Sequence, residues 1–291
     1  MPVGEPQVYA APGQWSFPLN LPLSALGLFP RKLDGTLADE SRLQDGSRAP
    51  WADEIEHALL EIPLGLGPFV ECVFFVKDRR TLLVTDTVVS VPTDPPEVCA
   101  ADPRALLVRS KDTRQAMPDD TAEQRRVGWG KTVLFALFFQ PAAVRFSPIS
   151  GFTWGDAWRE AFGRLVEPRL LVAPILQSLV LNKRPSAVRA WSRRVARWPF
   201  DRIIPAHLEA PIAAGPREFE RAFSFLDARQ AKGASNLLAD LVAAIAGPQP
   251  QQGEVSPFSD EDMRTIRGID WALATSGVIK GEQRAANSDS R

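Results

Sequence analysis

The apolar period of the chain changes near Asp119, and this change limits the fold more than any other feature. Before it, β-branched and aromatic runs of strand length alternate with turn residues. After it, apolar residues recur at helical spacing over most of the remaining sequence. The chain has 291 residues, 45% hydrophobic and 24% charged, which is enough to bury a full-sized core in one large domain or two smaller ones. Strands followed by helices, with one late strand, indicate an α+β body.

The strand-rich third begins with Gln7 to Ala10, a short strand ending at Pro12-Gly13. Residues Trp15 to Phe29 are apolar but broken by Pro18, Pro22 and Gly27, which excludes a long helix there. Such a loop must be covered by the body or face a partner or a bilayer surface. Residues 33–50 are polar and turn-rich. Pairing resumes over Glu54 to Ile62, where Ile55, His57 and Leu59 alternate with charged or small residues. Val70 to Val76 and Thr81 to Val91 form a hairpin about Lys77-Asp78-Arg79-Arg80, and Thr93-Asp94-Pro95-Pro96 closes the second strand. Ala105 to Val108 reads as a further short buried strand or turn.

Thr121 and Gln124 have the spacing of a capping box and open a helix reaching Phe139. Its second half, Leu134 to Phe139, is apolar all round, the mark of a helix buried in a large domain. Trp154 to Leu165 and Pro174 to Leu181 are also helical by pattern. Ser186 caps an amphipathic helix with Val188, Trp191, Val195 and Trp198 on one face and Arg189, Arg193 and Arg197 on the other. Phe200 to Pro205 is a strand. Pro216 opens a helix with Phe219, Phe223 and Leu226 inward, and Ser235 to Ile245 makes another. A Pro/Gln/Gly linker follows, then a short helix from Ser259, and from about residue 276 a polar, disordered tail.

Composition excludes several chemistries. The only histidines and cysteines are His57, His207, Cys72 and Cys99, with no CxxC, HxH or HExxH spacing. A zinc finger and a fully histidine-lined dinuclear centre are ruled out. Cys72 and Cys99 stand apart beside apolar residues and read as buried free thiols. Thirty-four basic and 35 acidic side chains give a formal charge of −1, so no global field points to nucleic acid, and no nucleic-acid partner is expected. No transmembrane segment is expected, because the longest apolar run, Val133 to Phe139, falls far short of the roughly 20 residues a bilayer helix needs. The N-terminus shows neither the basic region nor the apolar run of a secretory signal, which indicates an intracellular soluble protein with no visible targeting segment. Lys183, Arg184, Arg189, Arg193, Arg194 and Arg197 form the strong basic patch, read first as a solvated helix face. Gly65-x-Gly67 lacks the strand-then-helix setting of a dinucleotide loop. No Gly-x-Ser-x-Gly elbow is present, and a triad centred on His207 has no identifiable nucleophile.

Two passages carry a resemblance. Thr81-Leu82-Leu83-Val84-Thr85-Asp86-Thr87 sets a carboxylate at the end of a buried strand. The strand Phe200 to Pro205 is followed by Ala206-His207-Leu208-Glu209, a histidine on the turn leaving it. This order resembles the C-terminal half of the metallo-β-lactamase fold, where an aspartate at a strand end bridges two metals and a last histidine follows a later strand. The sequence is also similar to domain of unknown function family 4336, itself like degenerate metallo-β-lactamase proteins and found in bacteria, algae and plants. The segments Val8-Tyr9-Ala10-Ala11-Pro12-Gly13, Trp51-Ala52-Asp53-Glu54-Ile55, Thr81 to Asp86, Leu171 to Asn182 and Arg202 to Leu226 carry that similarity, over roughly residues 7–228.

The resemblance implies a metallo-β-lactamase-like αββα sandwich over residues 1–246, N-terminally incomplete and with a helical insertion over about 113–185. A linker at 247–258, a short helix at 259–275 and a disordered tail at 276–291 complete the expected organisation. The His-x-His-x-Asp-His signature of active relatives is missing, as is a histidine near Pro63 to Pro68. Asp86 and His207 are the candidate remnants of the metal site, with Glu209 or His57 as guesses for a third ligand. Catalytic zinc usually takes three protein ligands. The expectation is therefore a degenerate protein without dinuclear hydrolase activity, in a binding or structural role, with no cofactor and no catalytic residue assigned. One alternative is a residual mononuclear hydrolase holding a single zinc or iron on Asp86 and His207. Another is peripheral membrane contact through Trp15 to Phe29 or the Arg189 to Arg197 helix. The compartment is cytoplasmic or, by the family resemblance, the chloroplast.

Overall fold

A computed structural model describes residues 7–12, 34–38, 49–64, 67–139, 141–227 and 258–276. The proline-broken stretch 15–29, the helix expected over 235–245, the linker up to residue 257 and the tail beyond 276 lie outside the described residues.

The architecture is mixed α+β. Its centre is a four-stranded sheet in the order β3, β4, β5, β8: Ile55–Pro63, Pro68–Val76, Thr81–Val84 and Arg202–Pro205. The first three run antiparallel, and β8 joins β5 in parallel. β1 (Tyr9–Ala10) pairs with β2 (Gly35–Thr36), and β6 (Val144–Ser147) with β7 (Gly151–Trp154). Between β5 and β8 the chain also forms α1 (Val98–Ala101), α2 (Arg104–Ser110), α3 (Ala122–Phe138), α4 (Trp158–Val166), α5 (Pro174–Leu179) and α6 (Pro185–Val195). After β8 come α7 (Pro216–Ala222) and α8 (Asp260–Thr275).

The expected strands over Glu54 to Ile62 and Val70 to Val76 are present as β3 and β4, and both faces of each are covered. Ala58, Leu60 and Ile62 of β3 and Phe69, Val73 and Phe75 of β4 enter the main core with the helices. On the other face Leu59 meets Ala11 and Leu37 in a second, smaller core beneath Tyr9, Trp51, Val70, Cys72 and Phe74. Strand β3 is an edge, and α6 covers it. Trp191 Nε1 donates to Ala58 O at 3.5 Å and Arg194 donates to Leu59 O at 3.2 Å, which keeps this edge from pairing with another chain.

The helix signals hold in part. Thr121 Oγ1 accepts from Gln124 N at 3.1 Å and starts α3, and Ser259 caps α8 in the same way. Pro216 opens α7, where Gly215 N donates to Glu218 at 3.0 Å. Phe219, Phe223 and Leu226 are buried. Ser186, however, caps nothing, because Pro185 already occupies the first turn of α6 and Arg184 sits at the cap position.

Other expectations need correction. Residues 105–108 belong to α2, so helical structure begins before Asp119. The apolar end of α3 is not buried all round: Ala136 faces out and Phe139 is 63% exposed. Trp154 ends a hairpin strand, and α4 starts only at Trp158. Cys72 and Cys99 are half-buried rather than buried.

The last helix belongs to the same core. Phe258, Met263 and Ile266 are almost fully buried, and the ring of Phe258 lies 5.5 Å from that of Phe138. Asp262 takes Arg164 at 2.8 Å, and Asp270 pairs with Lys183. Among the described residues, no helix is long and apolar enough to cross a membrane.

Candidate functional site

The sheet register itself assembles the site. Strand β5 pairs with β4 through Phe75↔Leu82 and with β8 through Leu82↔Ile203 and Val84↔Pro205. Continuing those registers past the end of β5 sets Glu71 of β4, Asp86 and His207 in one row across three neighbouring strands. The distances agree with that reading. His207 Nε2 lies 2.9 Å from Asp86 Oδ1, and the pair is open to solvent, with side chains 64% and 50% exposed. The two residues singled out in the sequence, more than a hundred positions apart, are thus brought together by the parallel pairing of β5 and β8.

Glu71 explains why β5 stops at Val84 although its β-branched run continues to Val91. Its side chain is fully buried on the core face of β4, between Phe69 and Val73 in the alternation. One carboxylate oxygen accepts Thr85 N–H at 2.7 Å and the other accepts Asp86 N–H at 3.1 Å. In a continued strand these successive amides would point to β4 and β8 in turn, and here one side chain satisfies both instead. Burial pushes the Glu71 carboxyl above the ordinary glutamate range, against the lowering effect of its Thr85 and Asp86 hydrogen bonds. Sequence reasoning missed Glu71. The available signal was a glutamate at an inward position of a strand whose other inward residues are Phe69, Val73 and Phe75.

The loops around the pair are tied from beneath. Ser90, nearly buried, donates its hydroxyl to Glu209 at 2.7 Å, and Glu209 N donates to Ser90 O at 3.2 Å. Ala206 N reaches Thr85 O at 3.3 Å. Thr87 is fully buried, and its hydroxyl has no hydrogen-bond partner among the described residues. The two guesses for a third ligand do not join the pair. Glu209 is engaged with Ser90, and His57 lies against the second core, where its Nε2 is 2.8 Å from Ala38 O.

The metal centre implied by the metallo-β-lactamase resemblance can be tested on these donors. Asp86 and His207 are two, and Glu71, the next acid in the row, gives both oxygens to backbone amides. Among the described residues no three His, Cys, Asp or Glu side chains form a group able to hold a metal ion. This donor set does not fit a dinuclear centre, which needs several ligands for each of two ions. What the pair offers directly is an aspartate that orients an imidazole at the surface.

Elsewhere, the basic helix face is partly answered by carboxylates: Arg189 meets Asp227 at 3.0 Å and Arg193 meets Glu220 at 3.8 Å. A cavity of about 520 Å³ opens beside Leu171, Gln177, Phe225 and Phe258, and neither Asp86 nor His207 lines it.

No curated protein and no solved structure matches the chain. One family does, over residues 3–225, a span that takes in Glu71, Asp86 and His207. The chain belongs to the family described as Domain of unknown function (DUF4336).

Proposed function

We propose that this chain is a degenerate metallo-β-lactamase-like protein that has given up dinuclear hydrolysis and serves a binding or structural role. The observation that carries the reading is the use of Glu71. An acid next to the surviving Asp86–His207 pair is spent on closing a strand end, which suits a frame that is kept while its metal chemistry is not. The four-stranded sheet with β5 and β8 parallel, and an acid and a histidine leaving their ends, supports the kinship with that fold.

Metal analysis of the purified full chain, together with an ester and phosphodiester hydrolysis panel, tests the proposal. The expected result is substoichiometric metal and no turnover. Two tightly held zinc or iron ions per chain, with turnover lost in Asp86→Ala, overturn it.

The 2.9 Å contact favours a second reading, a mononuclear hydrolase using Asp86 and His207 with one zinc or iron ion. That reading requires His207→Ala to lower bound metal. Unchanged metal content and unchanged stability in this variant remove it.

A further inference from the structure

Nine large apolar side chains are exposed among the described residues, and six of them, Val108, Met117, Phe139, Phe146, Ile149 and Phe152, fall between residues 108 and 152. The β6–β7 hairpin holds three. Strand alternation and the pairings Val144↔Trp154 and Phe146↔Phe152 put four apolar side chains on one face of it. At the root that face is in the body. Val144 is buried, and Trp154 packs edge-on against Phe135 of α3 with ring centroids 5.2 Å apart. One pair further out it leaves the protein: Phe146 is 63% and Phe152 47% exposed, their rings 5.0 Å apart, and Ile149 at the turn is 78% exposed.

The finger is held in place. Thr113 N donates to Phe152 O at 3.1 Å, Phe152 N to Thr113 Oγ1 at 2.9 Å and Trp154 N to Asp112 Oδ1 at 3.1 Å. Gly151, at φ 73°, makes the turn beside Thr113, where a Cβ would meet that side chain at 2.8 Å. The anchoring segment is basic. Arg109, Lys111 and Arg114 lie beside Asp112 and Thr113 in sequence, Arg109 over the Phe135 ring that Trp154 packs against, Arg145 is part of β6, and no Asp or Glu occurs between Glu123 and Asp156. Asp112, within that segment, accepts from Trp154 N–H and stands 3.8 Å from Lys131.

We infer that the β6–β7 hairpin inserts its tip into the surface of an anionic lipid bilayer, with Phe146, Ile149 and Phe152 among the acyl chains and the arginines at the headgroups. Exposed apolar patches of this kind mark interaction sites, and aromatic residues rimmed by cations suit the bilayer interface. Area argues against a second copy of the chain as the occupant. Two aromatic side chains and an isoleucine, partly exposed, offer a few hundred Å², below the roughly 800 Å² per partner of a stable protein interface. This site is independent of the reading of Asp86 and His207, and it uses neither the 15–29 loop nor the Arg189–Arg197 helix.

Co-sedimentation of the full chain with phosphatidylcholine vesicles, with and without phosphatidylserine, tests it. Binding should favour the anionic vesicles, by about fivefold for each basic side chain at the surface, and should weaken as salt is raised. Ile149→Asp should reduce binding at least about tenfold, since it removes a buried branched side chain from the tip. Val98→Asp, a like change at a residue 77% exposed outside the patch, should leave it unaltered. Both substitutions are at the surface, and unchanged circular dichroism establishes that the fold is retained. No binding to either vesicle, equal loss in both variants, or concentration-dependent dimerisation abolished by Ile149→Asp without vesicle binding would each overturn the inference.

Discussion

Replacing Glu71 by glutamine removes one acceptor from a buried strand end while keeping its volume. The wild-type carboxylate accepts two backbone N–H groups, at 2.7 and 3.1 Å, from a fully buried position. An amide can present its oxygen to only one of them and turns its NH₂ toward the other. A buried donor left without a partner costs about 1–3 kcal/mol. Glu71→Gln should therefore lower stability by about that amount, or roughly 2–4 °C in Tm for each kcal/mol in a body of this size. The pH dependence supplies an independent sign. Burial raises the folded-state pKa of Glu71 above its ordinary value of 4.5, so the folded protein takes up this proton before the unfolded chain does. The stability from that uptake is absent well above the folded pKa, grows as pH falls through it and is complete below the unfolded value. Glutamine has no such term. The deficit of the variant should widen as pH falls from above the ordinary glutamate value toward it, followed by urea or thermal unfolding monitored by circular dichroism. A variant as stable as the wild type at neutral pH, or a deficit that shrinks on acidification, would refute the reasoning.

Other substitutions follow from the same packing. Thr87→Val exchanges a buried hydroxyl without a partner for a methyl group, and should raise stability by about 0.5–2 kcal/mol. A loss in urea titrations would mean that the hydroxyl is satisfied. Gly128→Ala should destabilise strongly despite the better helix propensity of alanine, because its Cβ would stand 2.0 Å from Leu106 O. Gly163→Ala, with nothing within 4 Å of its Cβ, should instead gain about 0.5–1 kcal/mol. Equal Tm shifts in these two glycine variants would contradict the α2–α3 contact. Asp86→Asn should change stability by less than about 1 kcal/mol, as expected of an exposed pair.

The hairpin β4–β5, helix α3 with its Thr121 cap and the late strand β8 were legible because local patterns write them directly. So was the Asp86–His207 pair, through the family resemblance. Glu71 was not, since its role depends on which strands are neighbours, and a strand's own sequence does not state its register. Alternation located β3 but did not show that both its faces are covered, because a remote N-terminal segment lies over the face that would otherwise be wet. Residues 105–108 were too short a run to separate helix from strand. The β6–β7 hairpin was hidden because Arg145 and Phe146 are both exposed, so burial never imposed the two-residue period that marks a strand.

The docking of α8 bears on where this protein can be cut. The stretch shared with the family ends at residue 225, yet Phe258, Met263 and Ile266 fill the core beside α3 and α5, and Asp262 and Asp270 neutralise Arg164 and Lys183. A fragment trimmed to the shared stretch would expose an apolar scar and leave the nearly buried Lys183 without Asp270, while Arg164 would keep Glu160 at 2.7 Å, so the cost of one unpaired charge adds to that of lost burial. Expression of the shared stretch alone should yield aggregation-prone material that α8 supplied in trans would help to keep in solution.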